Sequence, residues 1–179
     1  LTVIGTGTAG HGIVTTAAGS LNATGSVALT GYGITVGLGL SLVGAVNSTV
    51  AGDIVLSGRS VAVNAIGLSR AITATGGGIV VQGATLTSGV ATAAPGTAAL
   101  GVNYGLSLAA AASLNASGDI NVAADSASYT GIYAQGTIAS TRGNVVLLGK
   151  GVDGVNAAGA ITVGSVAAAS GIDGQPASK

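Results

Sequence analysis

The chain has 179 residues, a formal net charge of zero, 33 Gly, two Pro, four Tyr and no Cys, Met, Trp or Phe, and all five acidic residues are Asp. This alphabet excludes disulfides and thiolate metal sites, and any core must be built from Val, Ile, Leu and Ala. Arg59, Arg70, Arg142, Lys150 and Lys179 are scattered, so no basic face exists to release counterions from nucleic acid or to engage an anionic membrane surface. The positive mean hydropathy and abundant β-branched residues argue for a folded chain despite the glycine content.

No segment near the start combines a charged region with an apolar run, and there is no initiating Met, which reads as a mature product or an excised piece. His11 is the only imidazole and has no Cys or Glu with which to form a metal site or triad; it is expected to be an exposed end-coil residue. Between Tyr32 and Val46 the chain is mostly apolar, but Gly33, Gly37, Gly39 and Gly44 interrupt it, with Gly31 just before, while Ile34, Val36, Leu38, Leu40 and Leu42 alternate at period two. That pattern predicts strand, not a membrane span.

One phrase then recurs along the chain: a Gly, a turn residue, and two aliphatic residues separated by one position. It reads Gly25-Ser26-Val27-Ala28-Leu29, Gly52-Asp53-Ile54-Val55-Leu56, Gly77-Gly78-Ile79-Val80-Val81, Gly118-Asp119-Ile120-Asn121-Val122, Gly143-Asn144-Val145-Val146-Leu147 and Gly159-Ala160-Ile161-Thr162-Val163. A second phrase falls between copies: Gly12-Ile13, Gly33-Ile34, Gly67-Leu68, Gly105-Leu106, Gly131-Ile132, Gly154-Val155 and Gly171-Ile172. A third apolar position, Leu21, Ile72, Leu114 or Ile138, precedes the first phrase.

Three short strands and three corners per repeat predict an all-β fold, a triangular parallel β-helix (β-solenoid) of about 20–27 residues per coil filling 1–179, with right-handed winding as the default. Val27, Ile54, Ile79, Ile120, Val145 and Ile161 form the expected core ladder, and Asp53, Asp119 and Asn144 a corner ladder whose side chains bond their own backbone. Two spacings break the period. Residues 82–103, with Pro95 and the alternating Ala84, Leu86 and Val90, are expected to be an extra coil or a protruding insertion; Gly143 to Gly159 is short. Residues 173–179 are expected to be a flexible end.

Outward of the anchors stand Ala28, Val55, Val80, Asn121, Val146 and Thr162; Val55, Val80 and Val146 make this stripe apolar, which marks a candidate assembly face for lateral self-association or reflects strand propensity alone, and open coil ends offer end-to-end self-association as the other mode. Tyr32, Tyr104, Tyr129 and Tyr133 lie near the second phrase, where they stack on neighbouring coils or bind sugars. Asn22, Asn47 and Asn115 fit a glycosylation pattern that chance explains equally well in so Ser/Thr-rich a chain. Asp119 and Asp125 are the nearest acidic pair; with no Glu and no base between them, no catalytic, cofactor or metal site is expected.

The segments Leu114-Asn115-Ala116-Ser117-Gly118-Asp119-Ile120-Asn121-Val122-Ala123-Ala124 and Val50-Ala51-Gly52-Asp53-Ile54-Val55-Leu56-Ser57-Gly58 resemble repeats of the filamentous-haemagglutinin family, bacterial exoproteins exported by a partner transporter or as autotransporters. The resemblance implies a β-helix shaft at the bacterial cell surface or outside it, serving adhesion, filament or biofilm-matrix building, with a glycan or cell-surface receptor as a further partner. The competing expectations are a carbohydrate-binding or carbohydrate-cleaving β-helix near 82–103 and, last, an ice-binding solenoid, for which the Thr residues are not aligned in one outward slot.

Overall fold

The computed structural model describes residues 1–35, 37–61, 63–85, 104–126 and 129–163, and the backbone of 171–174. Alternating short strands separated by glycine corners stack into three parallel sheets, which is the parallel β-solenoid that the repeat predicts. The first sheet contains β1 (Thr2–Gly7), β4 (Val27–Gly33), β7 (Ile54–Ser60), β10 (Ile79–Thr85), β13 (Ile120–Asp125), β16 (Val145–Lys150) and β19 (Gly171–Gly174). The second contains β2 (Ile13–Thr15), β5 (Leu40–Leu42), β8 (Ile66–Leu68), β11 (Leu106–Leu108), β14 (Ile132–Ala134) and β17 (Val155–Ala157). The third contains β3 (Ser20–Ala23), β6 (Ala45–Ser48), β9 (Ala71–Ala74), β12 (Ser113–Ala116), β15 (Thr137–Ser140) and β18 (Ile161–Thr162).

Every strand pairs with its counterpart one coil away, so equal positions stack in register about 4.8 Å apart. Val27, Ile54, Ile79, Ile120 and Val145 form one continuous inward ladder, with Leu29, Leu56, Val81, Val122 and Leu147 beside it. Leu40, Ile66, Leu106 and Ile132 line the second sheet, and Val46, Ile72, Leu114 and Ile138 the third, all within one aliphatic core.

Several sequence assignments change sheet. Ile161 does not continue the first ladder: it pairs with Ile138 in the third sheet, is only half-buried, and Thr162 accordingly stands opposite Ala139. The spacing from Gly143 to Gly159 is short because it spans two sheets of one coil. Gly33 closes β4 and the second phrase of that coil is Gly39-Leu40, since Leu40 pairs with Ile13 and Ile66. Gly67 faces outward between Ser41 and Ser107, and Ile66, not Leu68, aligns with Leu40 and Leu106. Gly171-Ile172 belongs to the first sheet, opposite Val146-Leu147.

Residues 82–85 are not insertion but the end of β10, paired with Ser57–Ser60. Because β10 touches both β7 and β13, and β8 pairs directly with β11, no extra coil enters these sheets. Residues 86–103, including Leu86, Val90 and Pro95, lie outside the described residues, as do Val36 and 175–179; Asp173 and Gly174 of the expected flexible end pair with Leu148 and Gly149 in β19.

Where the first sheet turns into the second, the chain pinches. A Cβ built on Gly31, Gly83 or Gly149 would fall 2.0, 2.3 or 1.9 Å from the carbonyl oxygen of Gly39, Gly105 or Gly154. The exceptions are complementary: Gly58 faces Ala65, and Ala124 faces Gly131. A methyl on any of these glycines would therefore meet the facing backbone oxygen, which is the requirement for glycine at this approach.

Candidate functional site

Three surfaces contain the residues singled out from the sequence: the outer side of the first sheet, the corner before that sheet, and the corner after it.

On the outer side of the first sheet the pleat turns every second residue toward solvent. Ala28, Val55, Val80, Asn121 and Val146 stack in one row, and Thr30, Ser57, Gln82, Ala123 and Leu148 in the next. From β4 to β16 neither row carries a charge; β19 then sets Asp173 opposite Leu148. Val55 and Val80 are half-buried, while Val146 and Leu148 are 39% and 51% exposed. Asn121 and the small Ala123 sit between the Val80/Gln82 and Val146/Leu148 pairs, leaving a shallow hollow beside the exposed Val146 and Leu148 side chains. The third outward row is different: Tyr32, Arg59, Ala84, Asp125 and Lys150 run along the sheet's far margin. Arg59 stands 5.9 Å from the Tyr32 ring centroid, a cation–π contact.

The corner before the sheet holds the Asp ladder, and its hydrogen bonds run between coils, not within one turn. Asp53 Oδ1 accepts from the Gly78 amide at 2.7 Å, and Asp119 Oδ1 accepts from the Asn144 amide at 2.7 Å. Each carboxylate thus clamps the backbone of the next coil, which corrects the expectation of local Asx turns. Gly77 and Gly143 leave room for them, since a Cβ there would fall 2.7 and 2.6 Å from the carboxylate oxygens. Gly52, the one residue described with positive φ, at +133°, folds over Ser26 in the coil below. Asn144 therefore serves as a backbone donor to the ladder.

The remaining acids are dispersed. Asp119 and Asp125 lie six positions apart along one strand, about 20 Å by the strand rise. Among the described residues no three His, Asp or Glu side chains gather as a metal site. His11 is exposed, and its Nδ1 accepts from the Leu38 amide at 3.0 Å. Asn22 and Asn47 hydrogen-bond to each other across adjacent coils at 2.8 Å, and Asn115 donates to the Ser113 hydroxyl. No described helix is long and apolar enough to cross a membrane.

The corner after the first sheet collects three tyrosines from two coils. Tyr104 precedes β11, while Tyr129 and Tyr133 flank the start of β14 and lie within it. The Tyr104 and Tyr133 rings stack with centroids 4.7 Å apart and planes at 14°; Tyr104 and Tyr129 meet edge to face at 5.0 Å and 67°. The Asn64 side chain fixes this corner by accepting from the Tyr104 amide at 3.0 Å. Partial burial raises the Tyr104 phenol above its ordinary value, and a hydrogen bond with Tyr129 and the neighbouring phenols push the same way. The rings face one another and form a cluster, not a coplanar row. Sequence spacing placed all three near corners but did not show that they converge, because the coil carrying Tyr104 is offset by the long stretch before it.

No family model, no curated protein and no solved structure matches this chain.

Proposed function

We propose that the protein is a structural extracellular or cell-surface element, a rigid solenoid shaft that associates side by side with further copies of itself through the outer face of its first sheet. The observation that carries this reading is the pair of uncharged rows from Ala28 to Leu148, with exposed Val146 and Leu148 beside the hollow at Asn121 and Ala123. An uncharged face gives a charged partner nothing to read, whereas a knob and a hollow on one surface complement each other in a two-fold pair. The resemblance of the repeats to filamentous haemagglutinins supports the same assignment, with adhesion, filament or matrix building as the role of the assembled shaft. Enzymatic activity has no support in the dispersed Asp residues.

Sedimentation of the wild type and of the triple variant Val55→Thr, Val80→Thr, Val146→Thr tests it. Val→Thr keeps shape and strand propensity but weakens apolar burial by on the order of 1 kcal/mol per covered side chain. The wild type is expected to form concentration-dependent assemblies and the variant to sediment as single rods with unchanged melting. Equal assembly of both proteins would overturn the proposal.

A further inference from the structure

Three of the four tyrosines in the chain meet at one corner although 25 residues separate Tyr104 from Tyr129, and the chain has no other aromatic residue. We propose that Tyr104 and Tyr129 are an oxidative cross-linking site, at which an o,o′-dityrosine bond joins successive coils within one molecule.

Geometry supports this pair. The two rings approach edge to face with centroids 5.0 Å apart and planes at 67°, so a small rotation of the Tyr129 side chain brings an ortho Cε carbon of one ring against the other. The ortho carbons carry much of the unpaired spin of a phenoxyl radical. Tyr133, stacked 4.7 Å from Tyr104, covers one face of that ring and restricts its rotation. Tyr129 is 48% exposed and gives a solution oxidant access to the cluster.

Composition points the same way. The chain has no Cys, Met or Trp, the side chains that ordinarily intercept oxidants, so tyrosine is its most readily oxidised group. Tyr32, the fourth, sits apart over Arg59.

The step balances with hydrogen peroxide as the oxidant and a haem peroxidase as catalyst. Each phenol gives up one electron and one proton. The two radicals then form a Cε–Cε bond, and the hydrogen displaced from each of these carbons returns to its phenol oxygen, restoring both aromatic rings. The protein loses two hydrogen atoms, and the peroxide O–O bond is cleaved to give two waters.

The test treats dilute full-length protein with haem peroxidase and hydrogen peroxide, beside N-acetyltyrosine as a check on the oxidant. Cleavage before Asp separates Tyr104, in 53–118, from Tyr129 and Tyr133, in 125–152. The expected result is dityrosine fluorescence, a monomer lighter by two hydrogens, and these two peptides joined in a yield independent of protein concentration. Tyr129→Phe, which preserves the ring, is expected to remove the link; Tyr32→Phe and Tyr133→Phe are expected to retain it. Absence of the link in wild type while N-acetyltyrosine couples would overturn the proposal. So would its persistence in Tyr129→Phe, or dityrosine found only between molecules.

Discussion

Ile120 and Ile161 occupy look-alike phrases, Gly118-Asp119-Ile120 and Gly159-Ala160-Ile161, yet they stand in different sheets and differ in burial. Ile120 is fully buried between Ile79 and Val145, so Ile120→Ala is expected to cost about 2–5 kcal/mol, read from denaturant unfolding. The half-buried Ile161 is expected to lose only about 1 kcal/mol on the same change. Ile120→Asp strands a charge in the core and is expected to abolish cooperative folding; unchanged melting would refute the inward assignment. Asp125 titrates differently from an exposed aspartate. Desolvation raises its pKa, with Lys150 opposing, so the carboxyl favours the fold when protonated. That contribution is full below the ordinary aspartate range and is lost as pH rises through its own titration. Asp125→Asn is therefore expected to raise the melting temperature at neutral pH and leave it unchanged in strong acid; a lower neutral-pH melting temperature would contradict this.

Strand-to-strand contacts explain what the repeats reveal and where they mislead. Period-two alternation and recurring glycines identify three strands per coil, because inward positions must be aliphatic in every coil to meet their neighbours. The phrase alone cannot separate first-sheet from third-sheet strands, since both present an aliphatic residue after a glycine corner; Gly159-Ala160-Ile161 falls in this gap. The carboxylate clamps were legible as a ladder, but not their direction, because a one-coil reach by Asp53 to Gly78 spans 25 residues. The pinch between sheets had no sequence signal beyond abundant glycine. It yields a sharp expectation. In Gly58→Ala the new Cβ would stand 2.4 Å from Ile66 Cγ1 and 2.6 Å from the Ala65 oxygen, costing about 1–3 kcal/mol. Adding Ile66→Ala, which removes Cγ1, is expected to make the combined loss smaller than the sum of the two single losses in a double-mutant cycle, and strictly additive effects would show that the new methyl and the Ile66 side chain do not compete.

As a whole, the molecule spends its aliphatic residues twice, in a continuous core and again on the outer face of one sheet. The first use follows from the solenoid, since no coil buries its apolar side until neighbours cover it. The second does not, as an isolated rod would favour charge on a flat exposed sheet. In this protein Arg59, Asp125 and Lys150 lie along the margin of the first sheet and Asp173 stands opposite Leu148 in the last strand, β19, while the valines keep the centre from β4 to β16 uncharged. That distribution was visible in the sequence at Val55, Val80 and Val146, although Leu148, the more exposed neighbour, was missed because only the position between the two anchors of each phrase was considered.

Electron microscopy of the purified chain over a dilution series tests lateral association most directly. The account predicts rods paired or bundled side by side, the contact running along one sheet and the paired fraction falling on dilution. Separate rods at every concentration, or contacts made only through another face, would contradict it.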